Sequence, residues 1–126
     1  FSTVASFYDD IIEKIKPEII VGHCIGAYWA LKMSLLHQIP CVIANPRLAP
    51  DFRDDYPNIN DTDLDHNVPQ VAYLELGDEL IDMYAAQEVL ENYMLIQAVE
   101  GGHHRLLKPE NINQLIEHLE QQYLYK

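Results

Sequence analysis

Four short apolar runs constrain this chain more than anything else in it: Ile19-Ile20-Val21, Cys41-Val42-Ile43-Ala44, Val71 to Leu76 and Met94 to Val99. The first, short and without alternation, predicts a strand buried on both faces, the second a buried strand and the other two further strands, and their continuous apolar character points to a parallel sheet. The segments around them carry helical periodicity. Val4, Phe7, Tyr8, Ile11, Ile12 and Ile15 recur at helical spacing behind Ser2 and Thr3, either of which can cap, and Pro17 stops the pattern, predicting a helix over residues 3 to 15. The strand at 18 to 23 comes next, and after Gly26 a mostly apolar helix runs to about His37. Pro40 introduces the second strand and Asn45-Pro46 ends it. Residues 46 to 70 lose periodicity and fill with Asp, Asn and Pro, which predicts a long loop with room for one helical turn. A helix over Met83 to Tyr93, with Ala86, Val89, Leu90 and Tyr93 inward, separates the last two strands. Pro109 suits a first helical position, and Ile112, Leu115, Ile116, Leu119 and Tyr123 mark one face of a terminal helix. The order α-β-α-β-loop-β-α-β-α implies right-handed crossovers and a single α/β domain over 1–126: about four strands in a mostly parallel sheet, with helices on both faces.

Charge and cysteine usage narrow the partners. Eight Lys and Arg against 20 Asp and Glu leave a formal charge of -12, which repels nucleic acid and anionic lipid and offers no basic stripe for counterion release. No apolar run approaches the roughly 20 residues that span a bilayer, so no membrane insertion is expected. Two cysteines are too few for a disulfide framework, which together with the lack of a leader pattern points to a cytoplasmic setting. No motif calls for a cofactor or a metal. Asp61-Thr62-Asp63-Leu64-Asp65 resembles the start of a calcium loop, but His66 stands where Gly is required and Ala72 where a bidentate Glu is required. A solvated acidic loop lying over the site is the expectation for it.

In open parallel sheets the ligand site lies beyond the carboxyl ends of the strands. Here those ends carry Cys24, Asn45-Pro46, Gly77-Asp78 and Gly101 to His104, so a thiol, a carboxylate and two histidines succeed one another in the chain order that α/β-hydrolases use. Gly22-His23-Cys24-Ile25-Gly26 sits between a strand and a helix, where a nucleophile elbow would. The first glycine would leave room for the turn, and the second would let the helix pack on the strand. The helix N-terminus would favour a thiolate at Cys24, and the Ile25 N–H would face a developing oxyanion. Each residue also has a plainer reading. Cys24 is small enough to be a core thiol, as Cys41 is expected to be. Asp78 can serve as a turn former, Asp82 as an N-cap, His103 as an exposed neighbour and His23 as a packing residue that points away from Cys24.

Four blocks, Val21 to Ala30, Asn45-Pro46-Arg47, Gly77 to Asp82 and Glu100 to Arg105, together resemble the small bacterial YqiA-like esterases of the α/β-hydrolase superfamily, over about residues 18 to 125. The resemblance implies a nucleophile at Cys24, an acid at Asp78 and a histidine at His104 rather than His103. The family normally places Ser at the elbow. Cys there is similar to the dienelactone hydrolases. The family also opens with a strand and a His-Gly-Phe-type loop that donates to the oxyanion, and nothing here matches it, so an N-terminally truncated domain is expected. The strand at 18 to 23 would then have a bare edge, open to a second copy of the chain in a homo-oligomer. The expected function is hydrolysis of a small acyl substrate (ester, thioester or lactone) through Cys24, His104 and Asp78. The alternative is a non-catalytic scaffold that binds a ligand or partner chain. A thiol redox role is weaker, because no second Cys lies at Cys-x-x-Cys spacing.

Overall fold

The β-branched and apolar runs pair edge to edge in the order in which they occur. A computed structural model describes residues 1–124, with β1 (Ile20–His23), β2 (Cys41–Ala44), β3 (Gln70–Glu75) and β4 (Leu95–Val99) forming one sheet in the order β1-β2-β3-β4. Every pair is parallel, with Ile20 opposite Cys41, Cys41 opposite Gln70 and Val71 opposite Leu95. All carboxyl ends therefore lie along one side of the sheet.

The helices are α1 (Ser2–Ile15), α2 (Ile25–His37), the single turn α3 (Asp61–Leu64), α4 (Met83–Leu90) and α5 (Glu110–Leu119), the last running into a π-helical turn at Glu120–Leu124. Alternate strand residues face opposite layers, as the period of two demands. Cys41, Ile43, Ala72 and Leu74 meet Ala27, Ala30 and Leu31 of α2, Leu64 of α3 and Met83, Ala86 and Leu90 of α4. Val42, Ala44, Val71 and Tyr73 meet Leu115 and Leu119 of α5 on the other face. Helix α1 docks on the outer side of α2, where Ile12, Tyr28, Trp29 and Met33 form a third cluster and the Tyr8 ring lies tilted with its centroid 5.6 Å from that of Trp29. Leu90 is fully buried, a transfer worth about 1.5–3 kcal/mol by itself.

Several expectations are corrected. β1 lies at an edge of the sheet, as expected, but it is not buried on both faces: Val21 is 48% exposed, and beside it lies an open cavity of about 280 Å³ lined by Ile12, Ile19, Ile20, Gly26 and Trp29. Helix α4 ends at Leu90 and turns Val89 outward, because Met83, Ala86 and Leu90 already fill the sheet-facing stripe of so short a helix. Tyr93 lies beyond that helix, half-buried, and donates its hydroxyl to Asp61 at 2.7 Å. Tyr123 is exposed, since the wider π turn rotates it off the face set by Leu115 and Leu119. Neither Ser2 nor Thr3 caps α1; the N-cap is Phe1. The segment 46–70 is not simply solvated. Asp63 is 5% exposed, closes a capping box with Asn60 and takes the Lys32 ammonium at 2.9 Å, and the Tyr28 hydroxyl donates to the Pro57 carbonyl. These contacts hold the segment against α2. Among the described residues no helix is long and apolar enough to cross a membrane.

Candidate active site

Cys24 follows β1 and caps α2 with φ +58° and ψ −117°, a backbone state that L-residues rarely hold and that costs on the order of 1–3 kcal/mol. Local contacts over-determine it. The Cys24 N–H extends the ladder to the Ala44 carbonyl at 3.1 Å, and the Cys24 carbonyl accepts from the N–H groups of Ala27, Tyr28 and Arg47. Gly22 makes the turn possible, for a Cβ there would lie 2.2 Å from the Gly26 carbonyl oxygen and 2.7 Å from the Ala27 nitrogen. A Cβ at Gly26 would meet nothing within 4 Å. The close helix-to-strand packing expected of the second glycine thus belongs to the first. The outcome is a partly exposed thiol at the carboxyl end of β1, with Ile25 opening α2 directly behind it. Cys41 is its opposite: fully buried in β2, its thiol pushed up to about 12 by that burial.

Asp78 and His104 come together although 26 residues separate them. The turn after β3 carries Asp78, the turn after β4 carries His104, and the two turns stack backbone on backbone, with the Gly77 N–H donating to the Gly101 carbonyl at 2.6 Å. His104 Nδ1 lies 2.9 Å from Asp78 Oδ2. Because the carboxylate accepts, Nδ1 carries the hydrogen and Nε2 is left as the basic nitrogen. The Asp78 side chain is fully buried and accepts further from the Leu80 and Ile81 N–H groups and from Asn45 Nδ2. Burial pushes the Asp78 carboxyl up, but the bonds from His104, the two N–H groups and Asn45 outweigh it and hold the group below the usual carboxylate range. Asp78 is thus both turn former and histidine partner. Asp82 caps α4, accepting from Tyr84 and Ala85.

His103 is 59% exposed, with Nδ1 3.4 Å from Glu79. His23 is not the packing residue expected of it. It is exposed, its Nε2–H donates to the His104 carbonyl at 2.8 Å, and the two imidazoles lie 5.2 Å apart. That contact sets the strand end bearing Cys24 against the loop bearing His104. Two further residues went unassigned in the sequence. Asn45, fully buried at φ +40°, gives Nδ2 to the Glu75 carbonyl and to Asp78 Oδ2, and its Oδ1 accepts from the Glu75 N–H at 2.8 Å. Glu75, 1% exposed, directs its carboxylate into the loop that carries His104. The available signal was weak: an Asn at a strand end tolerates positive φ, and a Glu inside an apolar strand demands partners. Among the described residues no group of three or more His, Cys, Asp or Glu side chains is disposed to hold a metal ion.

No family model matches the chain, and no curated protein matches it. Among solved structures the chain is similar to the esterase domain of a Rhodothermus marinus protein, with a TM-score of 0.66, 12% sequence identity, and coverage of 89% of this chain and 62% of that one. The chain therefore spans about three fifths of the length of that neighbour. At this identity the likeness concerns the fold, so the chain has a parallel α/β fold shared with an esterase domain.

Proposed function

We propose that the protein is a hydrolase of small acyl substrates (esters, thioesters or lactones) working through Cys24, His104 and Asp78, as the YqiA-like resemblance implies. The observation that carries the proposal is the 2.9 Å bond between His104 and Asp78, formed on the turns after β3 and β4 on the same side of the sheet as the strained elbow at Cys24. In this reading the Cys24 sulfur attacks the substrate carbonyl while His104 Nε2 takes the thiol proton. The oxyanion forms against the Ile25 N–H, at the positive end of α2. Collapse breaks the bond to the leaving group, which takes the proton from His104 and leaves an acyl thioester. Water, deprotonated by His104, then hydrolyses that thioester, and the thiol is regenerated. Asp78 keeps the imidazole in the tautomer that has Nε2 free.

Short p-nitrophenyl esters and acyl thioesters test the proposal. Cys24→Ala and His104→Ala should each abolish turnover, and hydrolysis unchanged in both variants would sink it. A second reading, a non-catalytic scaffold that binds a ligand or a partner chain, rests on the free edge of β1 and the apolar cavity beside it. Iodoacetamide separates the two. The hydrolase reading expects Cys24 to be alkylated near neutral pH faster than an unstructured thiol, and more slowly in His104→Ala. Slow labelling that is indifferent to His104 favours the scaffold.

A further inference from the structure

A glutamate closes β3 in the middle of the sheet, 1% exposed and in no ion pair among the described residues. Burying an unpaired carboxylate is costly unless hydrogen bonds replace the lost water, so its partners matter. All of them are donors. Oε1 accepts from the N–H groups of His103 (3.3 Å) and Leu107 (2.9 Å), and Oε2 from the Lys108 N–H (2.9 Å) and the Tyr73 hydroxyl (2.8 Å). Three of the four lie in the stretch 103–108, on both sides of His104. Gly102, at φ +82°, lies so close over the carboxylate that a Cβ there would be 2.2 Å from Oε1. The Glu75 backbone meanwhile bonds Asn45 through both its N–H and its carbonyl, and Asn45 passes one amide hydrogen to Asp78.

We propose that Glu75 is the positioning residue of the histidine loop. Its side chain gathers the backbone around His104, its main chain is tied through Asn45 to Asp78, and the two halves of the Asp78–His104 pair are thereby set at bonding distance. The chemistry of the cradle explains why the residue is a carboxylate. Converging N–H donors require two acceptor oxygens, and a glutamine, though isosteric, would turn an NH₂ toward either His103 and Leu107 or Lys108. The proposal deepens the hydrolase reading and rests on it for its catalytic meaning. The geometry it concerns is measurable without any substrate.

The test is Glu75→Gln in the full chain, followed by ¹⁵N-edited NMR of the His104 Nδ1–H, the proton shared with Asp78, and by ester turnover. Glu75→Gln should shift or lose that resonance and lower kcat by roughly tenfold to a hundredfold with little change in KM, the cost of a misplaced reacting group. Tyr73→Phe removes one donor and leaves the loop N–H groups gathered, so it should keep the native resonance. If Glu75→Gln does not fold, Gly102→Ala perturbs the same cradle from the loop side with the carboxylate retained, and should give the same loss of signal. A native His104 resonance in folded Glu75→Gln, or in Gly102→Ala, would overturn the assignment. Failure of the native protein to hydrolyse any ester would sink the hydrolase reading and leave the NMR comparison to decide the role of Glu75.

Discussion

Asn45 ties the end of β2 to the Asp78 carboxylate, and its replacement by alanine has a definite cost. The Glu75 N–H, which donates to Oδ1 at 2.8 Å, would be left unpaired in a buried position, a loss of about 1–3 kcal/mol. The bond from Nδ2 to the Asp78 carboxylate at 2.9 Å goes as well, worth about 1.5–3 kcal/mol for a charged acceptor, although Asp78 keeps its other donors. At φ +40° alanine adds about 1 kcal/mol of backbone strain that asparagine bears more easily. The expected loss is therefore about 3.5–7 kcal/mol, a large part of the roughly 5–15 kcal/mol that holds a domain together. Urea unfolding followed by the fluorescence of Trp29 measures it, and a loss under about 1 kcal/mol with unchanged m-value would refute the reasoning. Asn45→Asp sharpens the test. It keeps the acceptor for the Glu75 N–H but turns a second oxygen toward the Asp78 carboxylate and the Glu75 carbonyl, so the introduced carboxyl is disfavoured as an anion and its folded-state pKa rises above the unfolded value. Its protonated form then stabilises the fold, and the deficit against the native protein should shrink as pH falls from 7 to 5. An equal deficit at both pH values would show that the amide does not face Asp78 as a donor.

The two elbow glycines should respond oppositely to alanine. Gly22→Ala, with its Cβ 2.2 Å from the Gly26 carbonyl, should lower the thermal midpoint steeply or prevent folding, whereas Gly26→Ala meets no atom within 4 Å and should be neutral or stabilising by up to about 1 kcal/mol. Leu90→Ala, at a fully buried site, should cost about 2–5 kcal/mol in urea unfolding. Acid should act through Asp78, whose folded-state pKa is depressed. Its contribution is complete above the unfolded carboxylate value near pH 4 and is lost as pH falls through the lower folded value. Asp78→Asn should accordingly lose less stability than the native protein between pH 5 and pH 3, and parallel losses would argue against the carboxylate network.

Helix and strand were legible where the signal is local. The β-branched runs and the spacing of Val4, Tyr8, Ile11 and Ile12 need only a few consecutive residues to be read, and the elements they predict recur with ends moved by a residue or two. Inward and outward faces were less legible. Val89 fits a helical stripe as well as Leu90 does, and only the length of α4 and its seat on the sheet turn it to solvent. β1 reads as buried on both faces because its residues are apolar; its edge position follows from the family resemblance, but the exposure of Val21 depends on what packs beside the strand, which Ile-Val-Gly-His does not state.

The site divides along the same line. Chain order and turn chemistry were enough to mark Cys24, Asp78 and the pair His103-His104 as residues of strand ends, because the carboxyl ends of parallel strands must share one side of the sheet. The resemblance already named His104 rather than His103, and His104 is the one that bonds Asp78; folding placed His23 against the same loop and gave Glu75 and Asn45 their partners. These choices are hydrogen bonds between residues from 26 to 81 positions apart, on turns brought together by stacking of Gly77 on Gly101. Local pattern reports which way a backbone is inclined to run. Which donor meets which acceptor across four strand ends is settled by packing, and that information is distributed over the whole sheet.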